Sequence, residues 1–321
     1  MRAITKTHTG NIISDSDLNL EYLFVGDYGK ENNIKADFLG YTKRIEKVEH
    51  QEVDLKDKLV VTISSQKGCC MNCNFCDCPK FGFKGNCSKA EMLSEITTGI
   101  ALSGITKGER LNIHFARMGE PTFNPEVIET AKAAYHIFGN DFASYHPVVS
   151  TMMPKGIGYD KLYSFLKKWV ETGYEFGGED GFGLQFSINT LNENDRNVMF
   201  NNLSLSLKEI GTIIKELPAP KKRKFTLNFA VTSKSNLDPD VMDMLFDKER
   251  CIVKMTPVHE TNKAVDSGYE IVKDFSIYEK FEKPLLEHGW DVIVFVPSQE
   301  EDSDRITCGN SLIALESELS F

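Results

Sequence analysis

The chain reads as an α/β protein, a partial (β/α)6 barrel with a small N-terminal extension. Three observations predict this. Short β-branched and apolar runs alternate with longer helical patterns over most of the sequence, which is how a parallel sheet covered by helices looks in one dimension. The 321 residues suffice for one large barrel-type domain with small additions, or for two ordinary domains. A cysteine-rich loop directly follows the first expected barrel strand, at the strand end where barrels collect their chemistry.

The elements follow in order. Residues 1–56 are polar, charged and weakly patterned, and read as a short extension with two short strands. The barrel itself is assigned to residues 57–321. Strands are expected at 59–64, 111–116, 145–151, 183–188, 225–231, 252–257 and 292–297, because each is an apolar or β-branched run of strand length. Between them, helical periodicity predicts helices near 89–103, 125–138, 159–172, 205–217, 239–246 and 276–288. Residues 173–183 carry five glycines and three acids, and read as a flexible surface insertion leading into a strand. Its single Gly-x-Gly carries little phosphate-binding weight, since no helix follows at once.

Composition narrows the function classes. A formal charge of −10 argues against broad, nonspecific adhesion to nucleic acid. The one basic run, Lys221-Lys222-Arg223-Lys224, follows Pro218-Ala219-Pro220. It reads as a solvated turn before a strand, with a phosphate-backbone contact as the alternative. No apolar run approaches the roughly 20 residues that span a bilayer, so no membrane association is expected. The polar start, MRAITKTHTG, lacks the apolar middle of a signal peptide, which makes a cytoplasmic location the expectation. Eight cysteines, six of them within residues 69–87, point in a reducing compartment to metal binding and not to disulfides.

Cys69, Cys73 and Cys76 lie in SSQKGCCMNCNFC with gaps of three and two residues. Three thiolates on one tight loop hold three corners of a [4Fe–4S] cluster and leave its fourth iron open to a ligand. Zinc is the alternative, but it takes four ligands, usually in two pairs. Cys70, Cys78 and Cys87 read as bystander thiols, since no obvious fourth ligand completes a second cluster.

Cys69-x-x-x-Cys73-x-Phe75-Cys76 resembles the signature of the radical S-adenosylmethionine superfamily, and its surroundings resemble the RlmN/Cfr family of RNA adenine methyltransferases. The likeness runs through Ser64-Ser65-Gln66-x-Gly68-Cys69, Met118-Gly119-Glu120-Pro121 with Asn124, and Val149-Ser150-Thr151. It continues through Phe186-Ser187-Ile188-Asn189 with Arg196 beyond, Pro257 with His259, and Cys308-Gly309, all in family order over residues 41–312. The resemblance implies a barrel of radical S-adenosylmethionine type, a [4Fe–4S] cluster, S-adenosylmethionine, and a reducing partner of flavodoxin or ferredoxin type. It places Gly119, Glu120, Ser150, Ser187, Asn189 and His259 around the cosubstrate. An acid such as Glu120 accepts hydrogen bonds from the amine of a bound amino acid; the alternative is an acid at a helix N-terminus favouring the dipole.

For Cys308 the resemblance implies a methyl carrier. The thiol is methylated first, a deoxyadenosyl radical abstracts hydrogen from that methyl group, and the carbon radical adds to an sp2 ring carbon of an RNA base or a small heterocycle. Glu46 loosely matches a family base, with a plain surface acid as the alternative. The chain also departs from the pattern. Thr62 stands where the family has a second cysteine that resolves the covalent intermediate by forming a disulfide. Cys70, Cys78 or Cys87 takes that role, or the intermediate resolves otherwise, or the reaction differs. The rival reading keeps the cluster and drops the methylcysteine: hydrogen is abstracted directly from a non-RNA substrate. A noncatalytic zinc-bearing RNA-binding module is the rival from another class.

Overall fold

The structure, a computed structural model, describes residues 2–7, 10–26, 54–270, 276–295 and 309–313. Three strands open the chain: β1 (Arg2–Lys6), β2 (Gly10–Asp15) and β3 (Leu20–Gly26). They form an antiparallel meander, and β3 pairs antiparallel with β4 (Leu59–Ile63), Leu23 opposite Thr62. The extension is thus continuous with the main sheet, and it holds three strands where the sequence suggests two. Its patterning is obscured because β2 and β3 bury polar residues, Ser14 and Glu21, beside Ile13 and Leu23.

After β4 the chain makes a small antiparallel pair, β5 (Gln66–Gly68) with β6 (Phe83–Asn86), which brackets the cysteine loop. Next come α1 (Lys89–Ser103), β7 (Gly108–Phe115), α2 (Glu126–Phe138), β8 (Phe142–Thr151), α3 (Tyr159–Gly177) and β9 (Gly183–Ser187). A short α4 (Glu193–Met199) precedes α5 (Leu207–Glu216), β10 (Phe225–Val231), α6 (Pro239–Leu245) and β11 (Cys251–Pro257). The short α7 (Asn262–Asp266), then α8 (Ser276–Glu287) and β12 (Val292–Val294), complete the described elements. The sheet order is β1-β2-β3-β4-β7-β8-β9-β10-β11-β12, with every pair from β4 onward parallel. Helical crossovers link the parallel strands in chain order, which matches the expected partial barrel; the sheet is open among the described residues. None of its helices there is long and apolar enough to cross a membrane.

Local chemistry explains the boundaries. Ser88 and Ser206 each begin a helix with a reciprocal capping box to Glu91 and Glu209. Gly104 ends α1 in the left-handed region, φ 72°. Alternate strand residues such as Val61, Ile113, Phe186, Leu227 and Val253 point at the helices and are fully buried, each contributing about 1.5–3 kcal/mol on burial. Trp169 of α3 packs edge-on against Phe115 and donates its indole N–H to the Gly183 carbonyl at 2.9 Å.

One sequence expectation changes and another is refined. Half of the glycine-rich segment 173–183 is the last turns of α3, and a Cβ on Gly173 would lie 2.4 Å from the Phe182 nitrogen. That glycine serves close packing, not flexibility. The basic run is a turn before β10, as its first reading has it, but its members are tied to their own chain. Lys224 pairs with Asp291 at 2.8 Å, Lys221 sits over the Tyr174 ring at 4.7 Å, and Lys222 lies 3.8 Å from Asp180.

Candidate active site

The cysteine loop leaves the C-terminal end of β4 through Ser64, Ser65 and Gln66, all buried. Ser64 donates its hydroxyl to the Glu21 carbonyl at 2.6 Å, and its N–H to the carboxyl of Glu95 at 2.8 Å. The loop is then fastened at several points. Cys69 N–H bonds the Gly82 carbonyl at 3.1 Å, and Asn74 N–H bonds the Met199 carbonyl at the end of α4 at 2.8 Å. Asp77 accepts the first amides of α7 from Asn262 at 3.1 Å and Lys263 at 2.9 Å, while Thr261 donates to the Phe75 carbonyl at 2.9 Å. Strand ends far apart in sequence therefore converge on one short loop.

Cys69, Cys73 and Cys76 are all half-buried and unbonded to one another. Burial pushes the Cys69 and Cys73 thiols up, and the fields of neighbouring thiols, Cys76 foremost, add to it; the three sulfurs thus share one electrostatic environment. The Met71 N–H reaches Cys69 Sγ at 3.4 Å, a donor that favours sulfur in its charged form. Met71, Met152, Met199 and Phe200 form an apolar wall against Cys69 and Cys73. On the other side Cys78, Met118 and Leu312 pack against Cys69 and Cys76. Among the described residues no group of three or more His, Cys, Asp or Glu side chains is placed to hold a metal ion. The loop motif supplies three thiols, one fewer than the four ligands of a structural zinc site. Three coupled sulfurs walled by methionines suit a larger thiolate-held cluster.

Gly119 adopts φ 100°, and a Cβ there would lie 2.5 Å from Gln66 Cβ, so only glycine lets the strand-end turn close over Gln66. Glu120 follows, buried. Its carboxyl accepts the Thr122 hydroxyl at 2.8 Å and the Met152 N–H at 2.9 Å, and burial raises its pKa. It also caps a short turn over Pro121–Phe123. Ser150 and Ser187 lie half-buried at the ends of β8 and β9. Asn189 is buried with φ 64° and accepts the Ala230 N–H at 3.3 Å. It helps line a cavity of about 270 Å³ with Met199, Thr232, Lys234 and Tyr269. His259, half-buried just past β11, is not among that cavity's lining residues.

Arg196, only 1% exposed, stacks 4.6 Å over Phe200 and gives Nη2–H to the Ser187 carbonyl at 3.1 Å. Its Nε and Nη1 find no partner among the described residues, and the field of Cys73 reaches it, so a buried cation with spare donors borders the cysteine site. Of the extra thiols, Cys70 is exposed and donates to Gln66 Oε1 at 3.3 Å, whereas Cys78 and Cys87 are buried. Cys87 lies at the start of α1, its thiol in the field of Glu95, and Cys78 packs beside Leu312. Thr62 sits on β4 opposite His114 of β7. Cys308 and Glu46 lie outside the described residues. Sequence reading missed Glu21, Asp77, Arg117 and Tyr269. Glu21 lies in the weakly patterned extension, and the others carry no motif, so only their packing reveals them.

No family profile matches the chain. It is similar to the dual-specificity RNA methyltransferases RlmN of Solidesulfovibrio magneticus, 36% identical over 110 residues, 33% of this chain and 31% of that one, and of Sorangium cellulosum, 26% over 180 residues, 55% of this chain and 42% of that one. The RlmN of Nitratiruptor sp. is 24% identical over 249 residues, 77% of this chain and 66% of that one. In each case the match spans less than two thirds of the relative. In fold the chain resembles the crystal structure of a radical SAM methyltransferase from Sphaerobacter thermophilus, with TM-score 0.64 and 16% identity, over 97% of this chain and 80% of that one. Over the aligned stretches, then, the chain is similar to RlmN-type RNA methyltransferases, and its fold is that of a radical SAM methyltransferase.

Proposed function

We propose that the chain is a radical S-adenosylmethionine methyltransferase that passes a one-carbon unit through Cys308 to an sp2 carbon of an RNA base or a small heterocycle. The observation that carries this is the convergence of Cys69, Cys73 and Cys76 on one walled site at the end of β4. Those three residues would ligate a [4Fe–4S] cluster, which with S-adenosylmethionine supplies one-electron radical chemistry once an external reductant delivers the electron. The protein's own contribution is orientation and exclusion of water. Met71, Met152, Met199 and Phe200 keep the site dry. Gly119 and Glu120 present a buried carboxyl beside the sulfurs, whose field reaches Cys69 and Cys73. Asn189, Ser150 and Ser187 offer polar groups at the next strand ends, and the neighbouring cavity of about 270 Å³ would take the flat part of a nucleoside. Cys308 would carry the one-carbon unit as a thioether, and Glu46 would move a proton on the substrate.

Anaerobic purification should give brown protein, and Cys73→Ala should abolish the colour. With methyl-deuterated S-adenosylmethionine, label should reach Cys308 and then product. If 5′-deoxyadenosine accumulates while neither carries label, the methyl-transfer reading is wrong. The rival, direct hydrogen abstraction from substrate, draws its support from Thr62, a hydroxyl where a resolving thiol is expected, and the same labelling separates the two.

A further inference from the structure

A buried polar cluster joins the N-terminal strands to residues 309–313. Glu21 on β3 is fully buried, and its Oε1 lies 2.9 Å from Arg117 Nε, the two side chains 0% and 3% exposed. The same carboxylate accepts the backbone N–H groups of Gly309, Ser311 and Leu312, the last at 3.3 Å. Ser14 of β2 adds a hydroxyl contact to Ser311 at 2.5 Å. Residues 309–313 form a single helical turn, closed by Ile313 N–H to the Gly309 carbonyl at 3.2 Å. Glu21 therefore gathers the orphan amides at the start of that turn.

The turn is pressed onto the cysteine loop. Gly309 adopts φ 88°, and a Cβ there would lie 2.8 Å from the Cys78 nitrogen and 2.9 Å from the Asp77 carbonyl carbon. Leu312, 1% exposed, packs with Cys78 and Met118 against Cys69 and Cys76. Arg117 lies immediately before Met118-Gly119-Glu120, and its N–H bonds the Ile63 carbonyl of β4 at 3.0 Å. One ion pair thus ties the N-terminal meander, the Met-Gly-Glu-Pro turn and the residue bonded to Cys308 into a single unit.

We propose that Glu21 and Arg117 are a positioning pair that seats residues 309–313, which directly follow Cys308 in the chain, against the cysteine loop. The consequence for catalysis rests on the reading of Cys308 as the one-carbon carrier; the anchoring itself does not. A carboxylate is the group for this task, because it accepts several amides and a guanidinium at once. An uncharged side chain would leave Arg117 buried without its counter-charge.

The test uses the full chain with two variants. Glu21→Gln removes the charge and keeps the shape, and Glu21→Gln with Arg117→Gln removes both charges together, so no lone charge stays buried. Hydrogen exchange at the amides of residues 309–312 should quicken at least tenfold in both. The reconstituted variants should stay brown and still release 5′-deoxyadenosine, while methyl incorporation at Cys308 falls at least tenfold. A rise in 5′-deoxyadenosine per product is the readout that general loosening of the fold would not give. Exchange rates within twofold of the parent would overturn the anchoring. If they quicken while Cys308→Ala keeps full product formation, the anchor stands and the carrier role falls.

Discussion

At the scale of single residues, Glu120, the acid proposed for the cosubstrate, is bonded within its own chain. Its oxygens already accept bonds from Thr122 and Met152, and burial raises its pKa. A Glu120→Gln side chain would turn an NH2 towards one of those donors. The expected cost is roughly 1–3 kcal/mol of stability, read as an earlier urea midpoint, together with loss of 5′-deoxyadenosine formation. Unchanged cleavage in Glu120→Gln would remove this residue from the site. Cys70 is the control: exposed and bonded to Gln66, it should yield a Cys70→Ser protein of undiminished colour. Residues of this kind divide in their legibility. Cys69, Cys73 and Cys76 are visible in the sequence because their spacing is local, whereas Asp77, Arg117 and Tyr269 become visible only once neighbours are known.

At the scale of elements, glycines mark where helices and strands touch. In the middle of a helix, glycine to alanine ordinarily gains about 1 kcal/mol from propensity. Gly173 of α3 should behave oppositely, because the new methyl would meet the Phe182 nitrogen at 2.4 Å. Backbone cannot yield as a flexible side chain does, so overpacking of about 1–3 kcal/mol outweighs the propensity gain. Gly173→Ala should therefore unfold at lower denaturant, and a stabilised variant would refute this account of the contact. The parallel strands and the helices between them are readable from periodicity, because apolar residues recur on the face that meets the helices. The third strand of the extension is not, since β3 buries Glu21 between Leu20 and Tyr22 and so breaks the apolar pattern.

At the scale of the whole molecule, charge is distributed against the net balance. A chain of net charge −10 gathers Lys58, Arg110, Arg223 and Lys254 around His114 and His146. Desolvation first, then those cations, lowers both histidines to about 3, and burial lowers Lys58 to about 7. Each histidine is neutral when folded and takes a proton on unfolding below about 6.5. Their contribution is therefore complete above that pH and is lost as pH falls from 6.5 towards 3, each histidine giving up at most about 1.4 kcal/mol for every pH unit crossed. Glu95, raised by burial, works in the other sense, its contribution fading as pH rises above 4.5. Urea midpoints between pH 7 and 4 should fall steeply for the parent and less steeply for His114→Gln with His146→Gln. Parallel slopes would show that the histidines do not carry the acid lability.

Read along the chain, the residues already carry the order of strands and helices, the loop that bears the three cysteines and the likeness to RlmN/Cfr proteins, because periodicity and spacing are properties of neighbours in the chain. Folding in three dimensions settles the rest: which residues wall that loop, how the extension joins the sheet, and that Glu21 meets Gly309 across 288 positions. Such a contact leaves no local trace. A buried carboxylate is tolerable only where the fold brings its donors to it, and those donors here are backbone amides and an arginine from remote segments, which no pattern along the chain encodes.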